Sequence, residues 1–318
     1  MDGTRSAATS TDGRLQDRET GLHAAGRSVH GGLERGEFFV VFQPVVDART
    51  THLEGFEALV RWDRPGLGVQ RPGTFLSGLA ADGGLARLTD FVLASATAAA
   101  ARWPDCGGRA LRLRVNLCAA ELADPLLAGR VWRALAVSGL SPQRLVLEVA
   151  AGDVPDLAAA RRTCHRLSAL GVGIALDAYG DDETALDRVR QLSCSEIKLA
   201  KTLVHDVVDH PDVVSTVGHI IELAGSLGLP VTLDGIECPE QLRLLLQTPA
   251  RTFQGRHLGV PHPLLDPGDV LAADVLANRL VAVAAGSPRA DSAQIHPIGM
   301  RRAHPAAGHP RRSPELDG

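Results

Sequence analysis

Seven short apolar runs in this chain each carry one polar side chain that burial alone would not choose. They are Glu57 in FEALV, Asn116 in RVNLC, Glu148 in VLEVA, Asp177 in ALDAY, Lys198 in EIKLA, Asp234 in TLDGI and Gln254 in TFQGR, with Glu237 three residues beyond Asp234. Acids predominate. Carboxylate and amide oxygens gathered around one cleft form a hard donor set, suited to Mg²⁺ or Mn²⁺ and not to zinc. Singly, a strand-end acid is more often a helix cap or a solvated turn residue; the repetition at like positions is what points to one shared site. The basic residues add to this. Lys and Arg together number 33, yet only Lys198 and Lys201 are lysines. A lysine kept in an apolar strand supplies a point charge where a forked guanidinium would not fit, either to pair with a carboxylate or to position a water. Arg61, four residues after Glu57, is a candidate phosphate contact, and Trp62 beside it reads as core. HDVVDH (205–210) has a metal-like look but lacks an HExxH pair, and reads as helix-end residues.

These side chains need elements to position them. Strands are predicted over 38–46, 53–62, 111–119, 144–150, 172–177, 196–201, 230–236 and 251–259. Helices are predicted over 85–103, 119–140, 156–171 and 213–228, the last two ending in glycine. A β-then-α rhythm of eight strands over about 240 residues suggests an α/β fold of the (β/α)₈ barrel type. A doubly wound open sheet is the alternative, but it would normally bring a phosphate-binding glycine motif, and the chain has neither GxGxxG nor GxxxxGK[ST]. In a parallel barrel the C-terminal strand ends face one mouth, where catalytic groups sit. The seven polar residues would ring that mouth.

The rest of the chain narrows the function classes. At 318 residues and 45% hydrophobic content a sizeable core is available, and with only 3% aromatics it must be aliphatic. A net charge of −4 and a pI near 6.3 exert no global pull toward a nucleic acid polymer or an anionic membrane. No run of 18 uncharged apolar residues predicts a transmembrane helix. Five scattered cysteines without ligand spacing suit a reduced, cytoplasmic setting. Residues 1–22 are polar, without the apolar core of a signal peptide, and read as a disordered tail. Residues 286–318, rich in Pro, Arg and His, read as a second one, leaving 23–285 for the barrel domain.

From about Ser28 to Leu265 the ordered motifs resemble the EAL domain family, the bacterial cyclic di-GMP phosphodiesterases. LERGEFFVVFQPVVD contains Gln43; Glu57-Ala58-Leu59 is the namesake tripeptide; VNL with Asn116, LEV with Glu148, IKL with Lys198, DGIECPEQL and FQG with Gln254 follow in the family's order. The resemblance implies a TIM-like barrel with one antiparallel strand, and hydrolysis of one phosphodiester bond of cyclic di-GMP to linear pGpG by two divalent metals. It implies that Glu57, Asn116, Glu148 and Asp177 hold the first metal and that Lys198 sits at the attacking water. Asp234 takes the place of a proposed base, Glu237 and Gln254 lie in support, and Gln43, Leu59, Arg61 and Gln254 contact the nucleotide.

The chain also departs from that pattern. The family's DDFGTG reads DAYGDD here, so Ala178 stands where the second metal's acid belongs, and Asp181 and Asp182 follow the turn. Ala200 in IKLA and Ala151 after the LE strand replace two further acids, and Asp234 is one methylene shorter than the usual Glu. The expectation is one divalent site, Mg²⁺ or Mn²⁺, with the second site doubtful. The protein expected is a catalytically impaired EAL domain that signals by binding cyclic di-GMP or a protein partner. The alternatives are a weakly active phosphodiesterase and a scaffold that no longer binds nucleotide. Homodimerisation through the face near the DAYGDD loop is implied only by the resemblance.

Overall fold

The computed structural model describes residues 29–81, 83–150, 154, 156–179, 185–264 and 266–286. Residues 1–28 and 287–318, Ala151 and the Asp181-Asp182 pair lie outside the described residues. Among the described residues there are nine strands: β1 (Phe38–Asp47), β2 (His52–Arg64), β3 (Gly68–Gln70), β4 (Arg112–Leu117), β5 (Leu145–Ala150), β6 (Gly173–Tyr179), β7 (Glu196–Leu199), β8 (Val231–Asp234) and β9 (Thr252–Gln254). They run in the order β1-β9-β8-β7-β6-β5-β4-β2, and β1 also pairs with β2, which closes an eight-stranded barrel. The short β3 hangs from the end of β2 as a hairpin arm. All ladders from β2 through β4 to β9 are parallel, whereas β1 is antiparallel to both of its neighbours. The reversal follows from the connection. Only four residues separate β1 from β2, enough for a hairpin and far too few for a crossover. Asp47 fixes that turn, its carboxylate accepting from the backbone N–H groups of Arg49 at 2.9 Å and Thr50 at 3.3 Å.

Helices α1 (Leu76–Ala81), α2 (Leu85–Ala100), α3 (Leu127–Ser138), α4 (Leu157–Leu170), α5 (Ala185–Leu192), α6 (Lys201–His205), α7 (Pro211–Ser226), α8 (Pro239–Leu245) and α9 (Pro267–Ala284) occupy the connections and the C-terminal end. Left-handed glycines end α3 (Gly139, φ 73°) and α4 (Gly171, φ 91°), and the Asp156 carboxylate caps α4 by accepting from the Ala159 N–H at 2.9 Å. Most element boundaries differ by one to three residues from the sequence expectation, and three of the differences have a clear local cause. The helix expected over 119–140 is broken into a 3₁₀ turn (Ala119–Ala123) and α3, because Pro125 forces Asp124 into an extended conformation. The strand expected over 251–259 stops at Gln254, where Gly255 packs against the Ile236 backbone so closely that no Cβ would fit. The strand expected over 196–201 ends at Leu199, and Ala200 becomes the N-cap of α6.

The parallel strands separate their two faces cleanly. Leu113, Val115, Leu147, Val149, Ile174, Ile197 and Leu233 are buried in the aliphatic layer that packs with the helices. The alternate residues, Arg114, Asn116, Glu148, Glu196, Lys198, Asp234 and Gln254, face the lumen. A smaller aromatic cluster closes one side, with Phe38 stacked on Trp62 at 5.2 Å and Phe75 edge-on to both. Trp62 is core, its indole N–H donating to Glu37 at 2.9 Å. His205 and His210 are helix-end residues of α6 and α7.

Candidate active site

Lys198 is the centre of the lumen. It projects from β7, is 1% exposed, and its Nζ lies 2.9 Å from Glu148 Oε2, 3.1 Å from Glu57 Oε2 and 3.3 Å from Asp234 Oδ2. Three strands thus converge their carboxylates on one ammonium. The more exposed Lys201, first residue of α6, also reaches Asp234 Oδ2 at 3.3 Å. Glu57 accepts from the side-chain amides of Asn116 and Gln254 as well. Gln254 donates to Gln43 Oε1 at 3.3 Å, and Gln43 donates to the Gly259 carbonyl at 3.2 Å. Strand register explains these meetings: Gln43 is level with Glu57 across β1 and β2, Asn116 with Glu148 across β4 and β5, and Asp234 with Gln254 across β8 and β9. Asp177, level with Ala150 on β5, stands one inward position nearer the mouth than Glu148, and its charge acts on both Glu148 and Lys198.

The electrostatics follow from burial and from this ring of acids. Burial by itself raises Glu57, but the charge of Lys198 and the hydrogen bonds from Asn116 and Gln254 outweigh it and hold the carboxyl at about 2. Glu148 goes the other way. Burial pushes it up to about 7, against the pull of Lys198 and Arg114, with the charges of Glu57 and Asp177 adding to the rise. Burial works against the Lys198 ammonium too, yet the surrounding carboxylates raise it well above the usual lysine value. Near neutrality the site therefore holds one firmly ionised acid, one acid poised to take or lose a proton, and one fixed cation.

The remaining predicted residues sit at differing distances from this centre. Leu59 and Arg61 continue the inward face of β2 beyond Glu57; Arg61 is half-buried and donates to the Val60 carbonyl at 2.8 Å. Glu237 lies in the loop leaving β8 with an exposed side chain, and its backbone N–H is fixed by Gln241 Oε1 at 2.7 Å. Ala178 falls within β6, and Ala200 is buried at the start of α6 without an oxygen to offer. In this lumen the buried oxygens Glu148 Oε1 and Gln254 Oε1 make no hydrogen bond to the described residues, and the Asn116 side chain is exposed at the rim. By donor chemistry Glu57, Asn116, Glu148 and Asp177 fit a hard divalent cation. Among the described residues, however, no group of three His, Cys, Asp or Glu side chains converges in ligand geometry, because the acids close on Lys198 Nζ.

Sequence reading overlooked what lies beneath. Arg114 and Glu196 are fully buried two residues before Asn116 and Lys198 on the same strands. Arg114 binds Glu196 directly, reaches Glu54 Oε2 at 3.2 Å, and lies 3.6 Å from Glu148 Oε1; Arg112 joins Glu54 at 3.0 Å and Glu196 at 2.9 Å. The period of two was the available signal: a charged residue two positions from a lumen residue shares its face.

The fold and the mouth define a TIM-like barrel with one reversed strand and a carboxylate, amide and lysine cluster at the C-terminal strand ends. The EAL domain family matches residues 27–261. The chain belongs to that family. Among curated proteins it is 34% identical over 239 residues to an "Uncharacterized signaling protein" of Caulobacter vibrioides, covering 75% of this chain and 29% of that protein. It is 32% identical over 232 residues to the bifunctional diguanylate cyclase/cyclic di-GMP phosphodiesterase MucR of Pseudomonas aeruginosa, covering 73% of this chain and 34% of that protein. The chain thus spans about a third of the length of these relatives. Among solved structures, a MucR phosphodiesterase in complex with cyclic di-GMP superposes with a TM-score of 0.69 at 30% identity, covering 76% of this chain and 98% of that one. The FimX EAL domain of Pseudomonas aeruginosa bound to cyclic di-GMP shares the fold, with a TM-score of 0.69 at 23% identity over 76% of this chain and 98% of that one.

Proposed function

We propose that this chain is a cyclic di-GMP signalling protein whose EAL barrel is catalytically impaired and acts by binding cyclic di-GMP or a protein partner. The observation that carries the reading is the combination of Lys198, drawn into the centre of the acids, with alanines at 178 and 200. The nucleotide would lie across the mouth, with Gln43, Leu59, Arg61 and Gln254 as its contacts. Arg61 supplies a charge-assisted donor for phosphate, and the amides of Gln43 and Gln254 are already oriented by their mutual hydrogen bond. A bound Mg²⁺ or Mn²⁺ held by Glu57, Asn116, Glu148 and Asp177 would acidify a water and offset phosphoryl charge. Lys198 orients Glu57 and Glu148 and contributes a fixed positive charge under the phosphate. Asp234 is tied up by Lys198 and Lys201, and Glu237 stands ready at the rim.

Loss of one carboxylate from such a site costs about 3 kcal/mol of transition-state stabilisation, roughly a hundredfold in rate. A weakly active phosphodiesterase is the second reading, favoured by the intact set Glu57, Asn116, Glu148, Asp177 and Lys198 and by the likeness to MucR. The test is calorimetry with cyclic di-GMP, with and without Mg²⁺ or Mn²⁺, followed by an assay for pGpG. The impaired reading expects binding with slow or no product, and at least about tenfold more product from Ala178→Asp. Robust wild-type hydrolysis overturns it, and absence of nucleotide binding leaves the scaffold reading. No helix among the described residues is long and apolar enough to cross a membrane. A cytoplasmic location, a signalling protein partner and a homodimer are parts of the same proposal.

A further inference from the structure

The floor of the barrel, opposite the candidate site, holds a cavity of about 270 Å³ among the N-terminal strand ends and the β1–β2 turn. Four arginines and three carboxylates line it, and they fall into two groups. In the inner group Arg112 and Arg114 each bridge Glu54 and Glu196, a closed ring whose charge sums to zero. The outer group is not balanced. Arg109 and Arg251, 65% and 46% exposed, share one oxygen, Asp47 Oδ2, at 3.7 and 3.1 Å. The other Asp47 oxygen already accepts from the backbone of its own turn. Two guanidinium groups thus face one acid, and the Arg109 contact is too long for a hydrogen bond, so its fork of N–H donors stays open. Both arginines stand on fixed backbone. Arg109 closes a tight hairpin with Cys106 through two 3.0 Å backbone bonds, with Gly107 and Gly108 at φ 55° and 72° between them. The Arg251 carbonyl accepts from the Ala48 N–H at 2.7 Å. Asp274, behind this wall, is taken up by His52 and the Leu53 N–H.

We propose that the floor cavity is a binding site for a small organic monocarboxylate, received by Arg109 and Arg251 at the rim with its apolar body inside. Charge sets the valence: one negative charge brings the outer group to neutrality. Donor geometry sets the group, because a planar carboxylate matches a guanidinium fork with two parallel hydrogen bonds. The walls set the rest of the molecule. Leu53, Cys106, Ala110 and Pro230 offer apolar surface beside the threonines of β8 and β9. The volume lies just below the ~300 Å³ at which pockets for drug-sized ligands begin, and so suits a small metabolite. This site is separate from the mouth and stands independently of the proposed function.

The test is calorimetry of the full chain with acetate, butyrate, benzoate and inorganic phosphate, at an ionic strength held constant with sodium chloride. Butyrate and benzoate should bind at one site, more tightly than acetate, which lacks the apolar body, and more tightly than phosphate. Arg109→Gln and Arg251→Gln each remove a charged donor from an exposed position and should weaken that binding by about tenfold or more. Ala110→Phe keeps every charge but fills the cavity from an exposed lining position, and should abolish benzoate binding. Arg87→Gln removes an arginine of similar exposure on α2 and should change nothing. Failure of all three carboxylates to bind the wild type overturns the inference. So does binding that survives both Arg109→Gln and Arg251→Gln, or that Arg87→Gln weakens equally. Phosphate binding as tightly as benzoate, and persisting in Ala110→Phe, would also overturn it by revealing a rim contact open to any anion. Cyclic di-GMP titrated into the same variants reads the proposed function separately, since none of these residues lies at the mouth.

Discussion

Replacing Lys198 by methionine removes the one cation that the three lumen carboxylates share while roughly keeping the side-chain volume. Lys198 is 1% exposed and its ammonium lies 2.9, 3.1 and 3.3 Å from Glu148, Glu57 and Asp234. At an effective dielectric of about 20, two charges about 4 Å apart interact by roughly 4 kcal/mol, and removing one partner of a buried pair costs about 3–5 kcal/mol. Part of that loss is recoverable, because Glu148, already raised to about 7, can take a proton and cease to repel Glu57. Lys198→Met should therefore lose about 3 kcal/mol or more at pH 8, and the loss should shrink toward pH 5.5, where Glu148 takes its proton. Urea unfolding at the two pH values measures both numbers. Added Mn²⁺ should stabilise the variant more than the wild type, since a divalent ion can take the place of the missing ammonium. A penalty below about 1 kcal/mol at pH 8, or one that grows on acidification, would refute the view that Lys198 is the counter-ion that holds these acids together.

Further expectations concern the same barrel. The folded carboxyl of Glu148, raised to about 7, lies above its unfolded value, so the stability it contributes is fullest below about 4.3 and declines as pH rises toward 7; Glu148→Gln should flatten that part of the wild-type thermal-stability profile. A Cβ at Gly55 would run into the Arg112 backbone of the neighbouring strand, so Gly55→Ala should cost about 1–3 kcal/mol, visible as a lowered Tm, and an unchanged Tm would mean the strands part freely. Asp274 on α9 accepts from the Leu53 N–H at 2.7 Å and pairs with His52 Nδ1 at 2.9 Å. Asp274→Ala leaves that N–H without its partner and should cost about 1–3 kcal/mol in chemical denaturation.

Much of this architecture is written locally. The barrel's strands alternate apolar and polar residues because one face meets the helices and the other the lumen, and that period survives in the bare sequence of RLRVNL, LVLEVA and EIKL. The reversed β1 is local as well, since a four-residue connection admits a hairpin only. The expected helix over 119–140 failed for a local reason that propensity masked: Pro125 leaves no N–H and no helical conformation for Asp124. Motifs show which residue types a site offers, but a linear spacing carries no register. The tertiary structure decided that Asn116 stands level with Glu148, that Asp177 stands nearer the mouth, and that three carboxylates from β2, β5 and β8 meet on the ammonium of β7. It alone brought Arg114 of β4 against Glu196 of β7, 82 residues away, and beneath Glu148. Such pairings depend on the stagger of a closed barrel, which is fixed by the joint packing of all its strands, and no window of sequence contains it.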